Sequence, residues 1–166
     1  MPDTHVVPPL VAAGEIRLAP FEPKPGPAFF LAGDSYPAKS HIENALRARL
    51  APAFSGWIGQ ADLLDRTGET CFRIDIARRL VLLDQAAPAS EGSPPVVLIG
   101  RSSGARVISL LASRRGVAAV ICLGYPFRQP GRALEPERFA HLARTTVPTL
   151  IVQGVDDPYG GARAVA

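Results

Sequence analysis

The chain has 166 residues, of which 47% are hydrophobic and 20% charged, and its formal net charge at pH 7 is +3. This composition predicts one globular domain rather than a disordered chain, and the scattered basic residues argue against a nucleic-acid-binding face. Its two cysteines are too few for a disulfide framework, no apolar run reaches the ~18 residues of a membrane span, and no signal peptide opens the chain, so we expect a cytoplasmic protein.

The first half of the chain predicts a proline-rich segment followed by the start of an α/β domain. Residues 1–27 form the proline-rich segment, and residues 28–166 form the domain. Residues 28–33 predict a buried strand, and Asp34 or Ser35 is expected to cap the helix that follows. Residues 54–59 fit either a short strand or a loop, and a second helix is predicted from about Thr70.

The second half alternates apolar strands with helices. Strands are predicted over residues 96–99, 117–124 and 148–154, with helices from 103 to about 114 and from 135 to 145. This alternation predicts a three-layer α/β sandwich with a mostly parallel sheet. The expected strand order is 28–33, 96–99, 117–124, 148–154. Ligands bind such sheets beyond the carboxyl ends of the strands.

The most informative motif is Gly100-Arg-Ser-Ser-Gly104, between an apolar strand and a helix. A Gly-x-Ser-x-Gly sequence in this position is typical of a nucleophile elbow, in which Ser102 lies on a strained strand-to-helix turn. The two glycines keep Cβ atoms away where strand and helix approach each other. The alternative is an ordinary βα turn in which Ser102 is only a helix N-cap.

A serine nucleophile requires a base and an acid, and only the acid has a clear candidate. Asp157 follows the last predicted strand, although an Asp-Pro turn without a catalytic role explains it almost as well. The hydrolase order is Ser, acid, His, and no histidine follows Asp157. His141 precedes the acid, and we expect it to be a surface or capping residue.

The loop after the first strand is the second candidate region. Gly33 fits the role of an oxyanion-hole donor through its backbone. The same loop contains Gly33-Asp34-Ser35, so Ser35 is a competing nucleophile of the SGNH-esterase type. That family needs a later Asp-x-x-His, which this sequence lacks. Asp34 and Ser35 are better explained as helix-capping residues.

Residues 96–160 resemble the α/β-hydrolase superfamily, close to its dienelactone-hydrolase-like branch. The motifs that carry the resemblance are Gly100-Arg-Ser-Ser-Gly104, Cys122-Leu-Gly-Tyr-Pro-Phe127, Pro148-Thr-Leu-Ile-Val-Gln-Gly154 and Asp157-Pro-Tyr-Gly160. The closest likeness is to bacterial relatives of the testis-expressed hydrolase-like protein and of the third subunit of the NSL complex. The resemblance implies a minimal hydrolase fold that lacks its last strand and helix.

By position, the resemblance makes Ser102 the nucleophile, Asp157 the acid and Ser103 an oxyanion-hole residue beside Gly33. We expect no metal and no cofactor. Where the family has His-Gly in its first loop, this chain has Ala32-Gly33, and the family's base has no counterpart.

Two functions follow from the sequence. The first is a serine hydrolase of a small ester or thioester, impaired by the missing base. The second is a hydrolase-fold binding or scaffold module without catalysis. The expected partner is a small-molecule substrate rather than nucleic acid or a membrane, and the sequence carries no information on oligomeric state.

Overall fold

The computed structural model describes residues 26–68, 76–86, 94–114 and 116–161. Its strands are Ala28–Leu31 (β1), Trp57–Ile58 (β2), Val96–Arg101 (β3), Val117–Leu123 (β4) and Thr149–Val152 (β5). Its α-helices are Ser40–Leu50 (α1), Gln60–Thr67 (α2), Ile76–Ala86 (α3) and Ser103–Leu110 (α4), and short 3-10 helices span Ala51–Ala53, Pro136–Arg138 and Ala140–Arg144. None of the helices in these ranges is both long enough and apolar enough to cross a membrane.

The strands form one parallel sheet in the order β2-β1-β3-β4-β5. This confirms the predicted order of the four longer strands, with β3 at the centre. All four residues of β1 and the first five of β3 are buried, because helices cover both faces of a parallel sheet. The ambiguous residues 54–59 contain the two-residue strand β2, which pairs with β1.

Alternate side chains of the central strands enter two separate cores. Phe29 and Leu98 pack into the core on the side of α2, α3 and α4. Phe30 and Ile99 point to the opposite face, where Leu46 of α1 packs against them. This period of two gives the three-layer sandwich that the sequence predicts.

The start of α1 differs from its prediction. Residues 34–39 form turns and α1 begins at Ser40, with Lys39 in the N-cap position, so capping by Asp34 or Ser35 was wrong. The physical reason is that the Asp34 carboxylate bonds to Arg79 and Ser103 instead of to helix N–H groups.

Other helix predictions also need correction. The helix predicted to reach Arg114 ends at Leu110, after which the chain continues in turns closed by short-range backbone bonds. Residues 135–145 contain two 3-10 helices rather than one α-helix, because Phe139 lies between them with φ −136°. Helix α2 was not predicted. Residues 1–25 of the proline-rich segment and the predicted helix start near Thr70 lie outside the described residues.

Candidate active site

Ser102 joins β3 to α4 in a strained backbone conformation. Its φ and ψ angles are 54° and −127°, and it is the only non-glycine residue with positive φ among those that the structure describes. The Ser102 N–H donates to the Leu123 carbonyl at 3.0 Å, and its own carbonyl accepts from the Ala105 N–H at 2.9 Å. These bonds to β4 and to the first turn of α4 hold the turn in place. The strained turn predicted from the motif is therefore present.

The two glycines of the motif are required by close approach of the backbone. A Cβ atom on Gly100 would lie 2.8 Å from the Ala105 nitrogen. One on Gly104 would lie 2.3 Å from the Leu31 carbonyl oxygen, well inside van der Waals contact. The start of α4 thus rests directly on the end of β1, and only glycine permits this.

Ser102 lies between two clefts at the carboxyl edge of the sheet. One cleft, of about 680 Å³, is bordered by Asp34, Arg79 and Arg106 as well as by Ser102. The other, of about 450 Å³, contains Ser102 and Asp157. The structure therefore brings the predicted nucleophile and the predicted acid to one cleft, as expected because the loops after parallel strands of one sheet share its carboxyl edge.

Both predicted oxyanion-hole residues lie next to Ser102. A Cβ atom on Gly33 would lie 2.9 Å from the Ser102 Cβ and 3.4 Å from its Oγ, so the Gly33 backbone contacts the serine side chain. Ser103 is the first residue of α4, and its N–H has no acceptor within the helix. This arrangement can present backbone donors to a negative oxygen beside Ser102.

A buried guanidinium links these two loops. The Arg79 side chain is 3% exposed and forms an ion pair with Asp34, while its Nη1 donates to the Ser103 Oγ at 3.0 Å. The Ser103 hydroxyl also donates to the Asp34 carboxylate at 2.8 Å. Arg79 was missed in the sequence because its partners are 24 and 45 residues distant.

Asp157 is held by bonds to both of its carboxylate oxygens. The Gln153 Nε2 donates to Oδ2 at 2.8 Å, and the Tyr159 N–H donates to Oδ1 at 2.9 Å. The Gln153 Oε1 in turn accepts from the Tyr125 N–H at 2.7 Å, which ties the acid to the loop after β4. Gln153 directly follows the last strand, and no sequence pattern indicated this role.

The histidines of the described ranges lie away from both clefts. The His141 Nε2 is 2.8 Å from the Ser109 Oγ, two turns along α4 from Ser102. Burial, and then the positive charge of Arg106, lower the pKa of His141. His41 is exposed on α1, and His5 lies outside the described residues. Within the described ranges, no three His, Cys, Asp or Glu side chains form a group that could hold a metal ion.

The loop after β4 directs its first two aromatic side chains into the core instead of into the clefts. Tyr125 and Phe127 are buried in the core, where their ring centroids lie 4.8 Å apart. Burial raises the pKa of Tyr125 to about 12, and its hydroxyl donates to the Arg138 carbonyl at 2.6 Å. Of residues 125–127, only Pro126 borders the larger cleft.

Ser35, the competing nucleophile, also borders the larger cleft. It lies in the turn at residues 34–39 and its φ is not positive, so its backbone lacks the strain found at Ser102. The neighbouring Asp34 is engaged by Arg79 and Ser103.

Comparison with known proteins places this geometry in context. Residues 76–166 match a family model described as an alpha/beta hydrolase domain. No curated protein matches the chain. A solved structure of a candidate YdeN-like hydrolase from Pectobacterium atrosepticum is similar with a TM-score of 0.50 and 21% identity, over 83% of this chain and 68% of that one. A candidate hydrolase of the alpha/beta superfamily from Xanthomonas campestris pv. campestris gives a TM-score of 0.46 and 18% identity, over 78% and 87% of the two chains.

Proposed function

The chain belongs to the alpha/beta hydrolase domain family, and on that premise we propose that it is a serine hydrolase of a small ester or thioester. The observation that carries the proposal is the strained backbone of Ser102 beside Gly33 and Ser103. Strain of this kind persists only where the surrounding structure imposes it, and it is concentrated at functional sites. An ordinary βα turn with a serine cap does not require it.

In the proposed reaction the Ser102 Oγ attacks the carbonyl carbon of the ester. The carbonyl oxygen becomes an oxyanion that accepts hydrogen bonds from the Gly33 loop and the Ser103 N–H. Collapse of this intermediate breaks the bond to the leaving alcohol or thiol, which takes up the proton lost by the serine. Water then attacks the acyl-serine, releases the carboxylic acid and returns a proton to Ser102.

Proton transfer is the slow part of this proposed reaction. Asp157 can orient a base, but neither cleft is bordered by a histidine within the described ranges. Positioned proton transfer contributes about 10²- to 10⁴-fold to catalysis, so we expect turnover to be weak for the chain as given. Backbone donors alone still leave a rate above that of water.

Several finer assignments accompany this proposal. We propose that the chain lies close to the dienelactone-hydrolase-like branch, on the motifs quoted above, and that it acts in the cytoplasm on a small molecule. We further propose that Ser102 and Asp157 serve as nucleophile and acid. Their position on one cleft supports these roles.

The test is covalent labelling of the nucleophile. A fluorophosphonate probe should label the wild-type chain slowly at Ser102, identified by peptide mass spectrometry, and Ser102→Ala should abolish both labelling and hydrolysis of p-nitrophenyl acetate. Ser35→Ala is the matched control, because Ser35 borders the same cleft, and it should label like the wild type. Labelling at Ser35 that survives Ser102→Ala would overturn the assignment.

A second candidate function is a ligand-binding module without catalysis. It is favoured by the bond between His141 and Ser109, which engages His141 away from Ser102. This function predicts no labelling and no ester hydrolysis above background in wild type and Ser102→Ala alike. The His141→Ala variant further separates the two candidate functions, hydrolase and binding module. Loss of hydrolysis with unchanged folding would identify His141 as the base.

A further inference from the structure

The larger cleft beside Ser102 is basic. Three arginines border it, namely Arg79 of α3, Arg106 of α4 and Arg138 of a 3-10 helix, together with the single acid Asp34. Cleft walls of one sign concentrate the potential and attract ligands of the opposite sign. The charges of the arginines therefore decide what kind of group this cleft accepts.

Two of these arginines are already neutralised by carboxylates. Arg79 is ion-paired with Asp34, and the Arg138 Nε with the Glu135 Oε2. The Glu135 carboxylate also accepts from the Gln129 N–H at 2.8 Å, which fixes it where it is. These pairs leave little net charge at either position.

Arg106 is different, since it has no carboxylate partner in the described part of the chain. Its Nη2 makes one long contact of 3.4 Å with the Glu137 carbonyl oxygen. Its Nε is buried without any hydrogen-bond partner among those residues. A buried donor left unpaired is unfavourable, and guanidinium groups bind carboxylates in a bidentate manner. Among the described residues, the cleft therefore holds one positive charge without a carboxylate partner.

Arg106 also lies one helical turn from the proposed nucleophile. It follows Ser102 by four residues, and its N–H contacts the Ser102 carbonyl at 3.3 Å, so both lie one turn apart on the same side of α4. Both residues also border the larger cleft. A short acyl chain in this cleft can therefore place its ester carbonyl at Ser102 and a terminal charged group at Arg106.

We propose that the acyl group hydrolysed at Ser102 carries a terminal carboxylate, which Arg106 binds. The substrate class is then a monoester or monothioester of a short dicarboxylic acid. This inference rests on the proposed function and adds the charge of the substrate to it. A single carboxylate matches the single uncompensated guanidinium, whereas a phosphate dianion would leave an unbalanced negative charge.

A pair of esters that differ only in this charge tests the proposal. Mono-4-nitrophenyl adipate and 4-nitrophenyl hexanoate have acyl chains of equal length, and only the first has a terminal carboxylate. In the wild type, kcat/KM should be about tenfold or more higher for the adipate ester. Arg106→Gln should reduce that ratio to near one, and Arg106→Lys should retain part of it.

Arg132→Gln is the charge-matched control, because Arg132 is exposed and does not border this cleft. It should keep the wild-type ratio between the two esters. A ratio near one in the wild type, with both esters hydrolysed, would overturn this inference while leaving the serine hydrolase proposal intact. An equal fall of the ratio in Arg132→Gln would overturn it as well, because the preference would then come from overall charge.

A binding experiment separates the two proposals if neither ester is hydrolysed. Monomethyl adipate, methyl hexanoate and inorganic phosphate are titrated calorimetrically into the Ser102→Ala chain, with and without Arg106→Gln. Binding of monomethyl adipate alone, lost with Arg106→Gln, supports the carboxylate site even if the hydrolase proposal fails. Binding of phosphate in preference to monomethyl adipate, or no binding at all, overturns the carboxylate assignment.

Discussion

Replacing Arg79 with methionine removes the cation that links the loop after β1 to the start of α4. Methionine keeps much of the apolar volume, so the change acts mainly on the bonds to Asp34 and Ser103. Arg79 is 3% exposed but Asp34 is 65% exposed, so water can solvate the carboxylate that is left behind. The loss should therefore lie below the ~3–5 kcal/mol that follows removal of one partner from a fully buried pair. We expect the free energy of unfolding to fall by about 2 kcal/mol.

Urea unfolding followed by circular dichroism measures this value, with Asp34→Asn and the double variant completing a cycle. The coupling between Arg79 and Asp34 should be about 1 kcal/mol. The second measurement is ester hydrolysis, because the same guanidinium positions both proposed oxyanion-hole loops. We expect kcat to fall about tenfold with a smaller change in KM, since only transition-state contacts are displaced. A loss of stability below ~0.5 kcal/mol together with unchanged kcat would refute this reasoning.

Two further predictions concern the packing and the pH dependence of the fold. Gly104→Ala places a Cβ atom 2.3 Å from the Leu31 carbonyl oxygen and should lower the free energy of unfolding by about 1–3 kcal/mol or more. Gly56→Ala, whose Cβ atom would make an ordinary 3.7 Å contact, serves as its control in the same urea titration and should change stability far less. Because the pKa of His141 is lowered in the folded protein, the unfolded chain binds more protons, so stability should decrease as pH falls below about 6.5. His141→Gln should reduce that decrease between pH 7.5 and 5, and the same decrease in both proteins would show that His141 is not responsible.

The strands and their order were predictable because strands that are buried on both faces have continuous apolar sequences. Every side chain of β1 is buried, and its sequence is correspondingly an unbroken apolar run. Parallel connections then leave few possible orders, and the loops that carry Gly33, Ser102 and Asp157 come to one edge. The geometry around Ser102 was predictable for a different reason, because its motif specifies a local turn.

The parts that could not be predicted depend on contacts between distant residues. Arg79 and Gln153 position site residues through hydrogen bonds, and no periodic pattern in the sequence predicts these bonds. Helix α2 contributes the buried leucines at 63 and 64 within eight residues, too few to establish a helical period. The turn before α1 formed because tertiary bonds to Asp34 replaced the local cap that its sequence favours.

The pairing of β1 with β3 sets the distance between the loops that carry Gly33 and Ser102, and no side chain at the site controls this distance. Leu31 is paired with Gly100, and Gly33 and Ser102 each lie two residues beyond that pair. Neighbouring strands are about 4.8 Å apart, so the separation between these loops is inherited from the backbone ladder itself. Redesign of the surrounding clefts by substitution should therefore leave this spacing intact. Inserting a single residue after Leu31 or after Gly100 would shift one loop against the other. Substitutions at this site are therefore compatible with the spacing of the two loops, whereas insertions at these two positions are not.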